Sequence, residues 1–446
     1  ELGVQPGDRI AMVAMACPEF PITFMAASKV GAIWLGLSPK FTLEELRYVL
    51  SHSQPRILVT LRNYAGIDLV QTGLTLAHET NSIEHVLVIG EAPEGAVEAG
   101  AASYYEFIER PRPDCEVALA IRAAELDPDD DVLLMYTSGS TGKPKGVIHS
   151  QHNITRNIAV QCEHFAFDAD GRVLLHFPIN HVAADVEICF GAIYAGAALI
   201  LMDAFDPASS LEVIEKERVT VVGQVPVMYL MQMSLPRFRE MDWRHVRTFI
   251  WGGSAVPRPV LEGLHGIAKH TGARLTTGYG STELCGFITY AMADDDLDLL
   301  ARTAGKIVPP YEMKIVDENR NELPLGEVGE VAVRGPVLMK GYMNDVAATR
   351  AVFDEDDWYY TNDVGYLDER GYLFLSGRRS EMFKTGGENV FPREIEDILE
   401  SHPGVMFAAV IGVPDELYAE VGHAYIMMKP GQTPTEADLR GYCKER

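Results

Sequence analysis

Residues 137–146 read TSGSTGKPKG: four hydroxyl side chains, three glycines, and two lysines on either side of Pro144. The stretch is too polar for a core and too rich in glycine for a helix. Glycines let backbone N–H groups turn toward an anion, while hydroxyls and ammonium groups add donors and charge. The chemistry that fits is a phosphate cradle. It is not the G-x-x-x-x-G-K-[ST] loop, because Pro144 follows Lys143. GYGSTE at 278–283 adds two hydroxyls and a carboxylate, hard oxygen donors that suit a magnesium ion. FPINH (177–181) supplies a histidine, and WGGS (251–254) a tryptophan beside two glycines. No His/Cys metal-ligand spacing occurs, and WGGS lacks the G-x-S-x-G elbow of a serine nucleophile.

Each of these loops follows a short apolar run. Such runs recur at 9–15, 56–60, 86–90, 132–138, 172–178, 197–202, 219–226, 246–253 and 274–280. Segments of helical period separate many of them, TLEELRYVLSHS and PRPVLEGLHGIAKHTG among them. This alternation predicts an α/β fold with a mostly parallel sheet and helices on its faces. Ligands of such sheets bind at the carboxyl ends of strands, so the four loops are expected to meet at one cleft. From Gly305 the texture changes: YEMKIVDENRNELPLGEVGEVAVRG and GYLDERGYLFLSGR read as hairpins, the second turning at Glu369 to Gly371. After Arg378 a small α+β unit is expected. Its helix starts at Pro392, has Ile395, Ile398 and Leu399 on one face and stops at Pro403-Gly404, with strands near Val410 and Tyr425.

The 446 residues carry 64 acidic and 38 basic side chains, a formal charge of −26 that repels nucleic acid and anionic membranes. Six cysteines without CxxC spacing suggest a reducing, cytoplasmic setting. The most apolar run, Ile188 to Met202, is too short to span a bilayer and is expected to be a buried helix followed by a strand. No signal peptide opens the chain, whose abrupt start suggests that residues precede it.

YTSGSTGKPKGV, with GYGSTE, YYTNDVGYLDERGYLFLSGR and KTGGENVFPREIE following in order, resembles the AMP-forming adenylating superfamily of acyl- and aryl-CoA synthetases, adenylation domains and luciferases. The resemblance covers nearly the whole chain. It implies a large N-terminal domain of parallel and mixed sheets over 1–377, β-rich from 305, and a small mobile α+β domain over 378–446 that is incomplete.

The resemblance also implies roles. Ser138, Gly139, Ser140, Thr141, Gly142, Lys143 and Lys145 form the phosphate loop, and Thr137 with Glu283 is the magnesium-associated pair. Thr282 bonds the α-phosphate beside Gly280 and Ser281. Ser254, Ala255 and Val256, with Gly278 and Tyr279, make the adenine slot. Asp363 takes the ribose hydroxyls and Arg378 is the second ribose contact. Two positions depart from the usual pattern: Asn362 stands where glycine commonly precedes the acid, and Ser380 where the hinge is usually Asp or Lys. Lys384, Gly386 and Gly387 border the path of coenzyme A, and Asn389 is a polar catalytic neighbour in the other orientation. His181 gates the acid pocket beside Val182, with Trp251, Gly252 and Gly253 as another wall.

The implied reaction has two halves. A carboxylic acid attacks the α-phosphate of MgATP and releases pyrophosphate, and coenzyme A then displaces AMP as the small domain rotates. The adenylation lysine of the resemblance has no counterpart here, since Lys444 does not match it, so residues 1–446 are expected to bind nucleotide but adenylate poorly. Gly280, where acetate-using relatives carry tryptophan, favours a larger fatty or aryl acid; Ala183 and Ala184 agree, whereas Trp251 shortens the pocket. Other readings stay open: an amino-acid or aryl-acid adenylation domain loading a carrier protein, for which Asp185 is an out-of-register amine partner, a luciferase-like enzyme, or a catalytically silent nucleotide-binding regulator. No nucleic acid and no membrane span is expected, and a homodimer is left open.

Overall fold

The computed structural model describes residues 2–109, 113–137, 143–429 and 431–446, without the side chains of 113 and 114. Packing divides the chain into two units. The first is Glu1–Gly223 with Gly280–Phe287 and Pro336–Arg350, and the second is Gln224–Tyr279 with Ile288–Gly335 and Ala351–Arg446.

The first unit is built on an eight-stranded sheet. Its spatial order is Gly341–Tyr342, Lys145–Ser150, Asp131–Thr137, Ile33–Leu37, Arg9–Val13, Ile57–Leu61, His85–Ile89 and Ala101–Ser103. From Asp131–Thr137 onward the neighbours are parallel. At the other edge Asp131–Thr137 and Lys145–Ser150 form an antiparallel hairpin. The mostly parallel sheet expected from the sequence is present, with two strands of more than three residues that the apolar runs had not marked.

One of these, Ile33–Leu37, is buried along its whole length, as a parallel strand covered on both faces should be. Trp34 stacks on Phe24 with ring centroids 4.7 Å apart. Gly36 lies so near the carbonyl of Ile179 that a Cβ would sit 1.9 Å from that oxygen. Only glycine lets the FPINH segment cross the central strand there. The other unmarked strand, Lys145–Ser150, passes straight into the helix Gln151–Phe165. Ser150 and Asn153 make that junction by exchanging side-chain bonds with each other's backbone N–H groups.

Also in the first unit, Arg172–Leu175 pairs parallel with Ala198–Leu201. The segment joining them holds a π-helix, Ala183–Phe190, and a short α-helix, Gly191–Ala195. The long apolar run is thus a helix followed by a strand, although Ile193 and Tyr194 at the helix end are exposed. Among the described residues no helix is long and apolar enough to cross a membrane.

The second unit has the parallel pair Thr248–Trp251 and Arg274–Thr277, flanked in sequence by the helix Arg258–Thr271. Its β-rich part is an antiparallel sheet ordered Glu312–Val316, Gly329–Arg334, Tyr359–Leu367 and Leu373–Arg378. Both hairpins predicted after Gly305 are there. Beyond Arg378 comes a four-stranded sheet, ordered Glu388–Val390, Phe383–Thr385, Ala419–Met428 and Val405–Asp415, with helices Pro392–Glu400 and Glu436–Lys444. It has a core of its own made by Phe383, Leu399, Val405, Ala408, Val410 and Leu439. Pro392 opens its helix as expected.

Candidate active site

In the first unit the site is assembled around one tight segment. Gly280–Ser281 pairs with Gly286–Phe287 as a small antiparallel hairpin, and Thr282 and Glu283 ride on its turn. Four ties hold that turn. The Nε2–H of His149 donates to the Thr282 carbonyl at 2.7 Å. The Asn157 amide donates to the Cys285 carbonyl at 2.7 Å, and the Met339 N–H to the Glu283 carbonyl at 2.8 Å. The Phe287 N–H donates to Oε1 of Glu187 at 2.9 Å.

The first two ties are fully enclosed. His149 and Asn157 are 0% exposed, and burial pulls the imidazole pKa of His149 down to about 4. The ring is therefore neutral and serves as a donor. Buried hydrogen bonds of this kind restrict geometry because the alternative is an unpaired group away from water.

Glu283 itself is half-buried and accepts from the Tyr342 hydroxyl at 3.2 Å on Oε1. The same Tyr342 ring lies under the Lys145 ammonium, 4.8 Å from Nζ to the centroid. Thr137, the last residue of its strand, pairs directly with Lys145 across the hairpin. Thr137, Lys145, Tyr342, Glu283 and Thr282 thus belong to one neighbourhood of hydroxyls, one ammonium and one carboxylate. Lys143 leans over Tyr48 instead, at 5.9 Å. Ser138, Gly139, Ser140, Thr141 and Gly142 lie outside the described residues. Among the described residues no group of three or more His, Cys, Asp or Glu could hold a metal by itself.

His181 precedes the π-helix, its Nδ1 accepting from the Ala183 N–H at 3.1 Å, and Val182 beside it is buried. Asp185 is 0% exposed, and neither carboxylate oxygen has a partner among the described residues. Enclosure drives its pKa well above the usual range, so it is a neutral acid sealed inside the unit.

The second unit holds a different constellation. The Tyr279 hydroxyl donates to Oδ2 of Asp363 at 2.6 Å. Arg378 approaches Oδ1 of the same carboxylate at 3.3 Å, from the facing position of the neighbouring strand. Asp363 is mostly covered, with 16% of its side chain exposed, whereas Arg378 is 59% exposed. Tyr279 is fixed by its backbone, which donates to the Thr289 hydroxyl at 2.7 Å and accepts from the Ile288 N–H at 2.9 Å. Ser254 and Ala255 are exposed, Val256 is buried, and Gly278 is half-buried. Trp251 is buried at a strand end, its carbonyl accepting from the Thr277 hydroxyl at 2.9 Å; Gly252 is half-buried and Gly253 exposed.

The two departures from the usual pattern meet each other. Asn362 takes a left-handed backbone with φ of 65°, the conformation a glycine there would adopt without strain. Its side-chain amide donates to the Ser380 hydroxyl at 3.2 Å. Arg379 between them reaches Glu330 at 3.3 Å and Glu318 at 3.5 Å. Further on, Lys384 and Asn389 face each other across a hairpin whose turn is Gly386-Gly387, both with positive φ. All four of these residues are exposed.

The residues that sequence reasoning passed over are His149, Asn157, Glu187 and Tyr342. His149 and Tyr342 carried a faint signal, a polar ring two or three residues beyond a marked glycine-rich motif or inside GYM. Asn157 and Glu187 sit on helices and gave none.

Residues 1–343 match the AMP-binding enzyme family, and residues 394–446 match its C-terminal domain. The indoleacetate–CoA ligase of Aromatoleum aromaticum is 32% identical over 97% of this chain and 80% of its own length. The 4-coumarate–CoA ligase CCL1 of Humulus lupulus is 31% identical over 100% of this chain and 80% of its own. Among solved structures, the anthranilate CoA ligase AuaEII in complex with anthranoyl-AMP superposes with a TM-score of 0.86 at 26% identity, covering 100% of this chain and 82% of that one. With two matched segments spanning most of its length and relatives above 30% identity along nearly all of it, the chain belongs to the AMP-binding enzyme family.

Proposed function

We propose that this AMP-forming CoA ligase activates a fatty or aryl carboxylic acid as its acyl-adenylate and passes the acyl group to coenzyme A. ATP and coenzyme A come with the family. The single observation that carries the nucleotide reading is the Asp363 carboxylate, gripped by Tyr279 on one oxygen and Arg378 on the other. A carboxylate so oriented can accept from two adjacent sugar hydroxyls, and the tyrosine ring beside it offers a face for adenine.

Thr282 would bond the α-phosphate, with Lys145 and the loop 137–143 beside the phosphates. Thr137 and Glu283 would accompany magnesium that arrives with ATP. Their fit rests on hard oxygen donors: Glu283 has only the Tyr342 hydroxyl on Oε1 among the described residues, which leaves Oε2 for a cation. The ion would supply charge neutralisation at the phosphates. The protein's own part is orientation of the acid and ATP, and stabilisation of charge on the phosphate oxygens as pyrophosphate leaves.

For the second half-reaction the unit beyond residue 378 is the moving part, with Ser380 its hinge. Lys384, Gly386 and Gly387 would flank the pantetheine arm and Asn389 would serve in the other orientation. The separate core of that unit supports rotation as one piece. His181 and Val182, with Trp251, Gly252 and Gly253, would bound the acid. Asp185, the residue offered to an amine, is sealed away, which leaves an acyl or aryl acid as the better reading.

Pyrophosphate release by the protein with fatty, aryl and amino acids, each with and without coenzyme A, tests this. The expected result is release with fatty or aryl acids and thioester formation when coenzyme A is added. Amino-acid-dependent release without any thioester would overturn it.

A further inference from the structure

Glu187 is a carboxylic acid placed where a hydrocarbon side chain would cost less. It lies on the π-helix that begins two residues after His181, and it is 7% exposed. Among the described residues its one hydrogen-bond partner is the Phe287 N–H, at 2.9 Å from Oε1. Phe287 is paired with Gly280 across the small hairpin whose turn carries Thr282 and Glu283. The carboxyl therefore stands one strand away from the position expected to shape the acid pocket, on the element that starts from its gate.

A second polar group backs it. Gln161, on the helix Gln151–Phe165, is 0% exposed, and neither end of its amide has a partner among the described residues. Gln161 and Glu187 close on Gly286 from two sides: a Cβ there would lie 2.5 Å from Gln161 Nε2 and 2.8 Å from Glu187 Oε1. Gly286 is thus required by these two side chains. Buried polar groups left partly unpaired cost about 1–3 kcal/mol each, and proteins keep such groups mainly where function uses them. Asp185 is no rival for the role. It is 0% exposed and neighbours Cys189, so no ligand reaches it, whereas Glu187 keeps a sliver of access.

We propose that the Glu187 carboxyl, backed by Gln161, recognises a hydrogen-bond donor on the acid substrate, a hydroxyl or amine carried away from the reacting carboxylate. The inference rests on the ligase reading above and narrows its substrate class to polar-substituted acyl or aryl acids. A site that hydrogen-bonds a substituent rejects the analogue lacking it more strongly than a hydrophobic pocket separates homologues, because the site's own polar group is left unpaired.

The experiment measures pyrophosphate release, as kcat/KM, for matched pairs of acids: 3-phenylpropanoate with and without a ring hydroxyl or ring amine, and octanoate with and without an 8-hydroxyl. The protein is expected to prefer at least one donor-bearing member by about tenfold or more. Glu187→Leu unties the Phe287 N–H and should slow all acids by a common factor; beyond that common loss it should abolish or reverse the preference. Glu187→Gln, whose amide oxygen can still accept from Phe287, should fold normally, keep the hydroxyl preference and lose most of any amine preference. Equal use of both members of every pair by the parent protein overturns the inference, as does a preference left intact in Glu187→Leu or an unchanged amine preference in Glu187→Gln. Absence of pyrophosphate release with every acid overturns the ligase reading instead, and the inference falls with it.

Discussion

The first unit holds its reactive turn with enclosed hydrogen bonds, whereas the second holds its carboxylate with a half-open pair. The turn carrying Thr282 and Glu283 is fixed through the carbonyls of Thr282, Cys285 and Glu283 by His149, Asn157 and Met339 in that order, the first two partners being fully buried. The Asp363 carboxylate is held by side chains, Tyr279 from a covered position and Arg378 from one that is 59% exposed. The physical consequence differs. A turn tied by buried bonds cannot shift without leaving polar groups unpaired, so it suits charge development at a reacting phosphate. An exposed ion pair contributes little to folding and rearranges cheaply, which suits a residue that must release one partner to take up sugar hydroxyls. Catalytic loss without stability loss should follow when the ligand-facing groups are removed, and both losses together when the ties are removed.

The largest effect is expected from the carboxylate on the tied turn. Glu283→Ala should lower kcat for pyrophosphate release by about 10²–10³-fold, the range for losing one group that stabilises transition-state charge. Its melting temperature should stay within about 2 °C of the parent, because among the described residues the one side-chain bond lost is to a tyrosine hydroxyl. A rise in KM with kcat unchanged would mean that Glu283 only helps ATP bind. Asp363→Ala comes next. It should raise KM for ATP by roughly 10–100-fold, as loss of hydrogen bonds to a charged group does, again with little change in melting temperature. If Asp363→Ala instead unfolded the protein, the contrast between the two units would be wrong.

The ties themselves give the next test. His149→Leu removes the donor to the Thr282 carbonyl and strands that oxygen, a cost of about 1–3 kcal/mol, so both melting temperature and kcat should fall, the latter by about tenfold. The imidazole also leaves a pH signature. His149 and His176 have pKa values depressed to about 4 by burial, against 6.5 in the unfolded chain. Below 6.5 the unfolded chain takes up protons that the native state refuses. Stability therefore falls as pH drops from 6.5 toward 4, and the loss levels off below that. Glu187 acts in the opposite sense. Its carboxyl is raised by burial to about 7 from 4.5, so native protein holds the proton longer and stability declines as pH rises from 4.5 to 7. Melting curves across pH 4.5–8 should show a flatter acid limb in His149→Leu and a flatter alkaline limb in Glu187→Gln.

How much of this was readable without coordinates follows the same division. Periodicity marked every strand whose apolar run was bounded by turn residues, and the hairpins after Gly305 carried their own turns. Ile33–Leu37 escaped because IWLGL follows the preceding helix with one glycine between them and continues its apolar texture. Lys145–Ser150 escaped because its first residues doubled as the end of the glycine-rich motif. At the candidate site, groups expected to touch ligand stood out by their unusual chemistry in loops. The groups that hold them did not. His149, Asn157 and Glu187 act through backbone atoms a hundred or more positions away, and no local pattern encodes a bond of that span.

The smallest expected effect concerns Asn362, where sequence and backbone disagree least. Its φ of 65° penalises residues with a Cβ, asparagine less than most. Asn362→Gly should therefore leave stability within about 0.5 kcal/mol: relief of that strain offsets one exposed hydrogen bond to Ser380 and the greater freedom of glycine in the unfolded chain. Asn362→Ala loses the same bond, keeps the strained backbone and should cost about 1 kcal/mol. Ser380→Ala isolates the bond, since Ser380 adopts no strained backbone. If the bond steadies one orientation of the unit beyond residue 378, Asn362→Gly and Ser380→Ala should shift the ratio of pyrophosphate release to thioester formation by a similar factor, about two- or threefold, with melting temperatures unmoved. Unequal shifts would mean that the left-handed turn, rather than its hydrogen bond, sets the orientation.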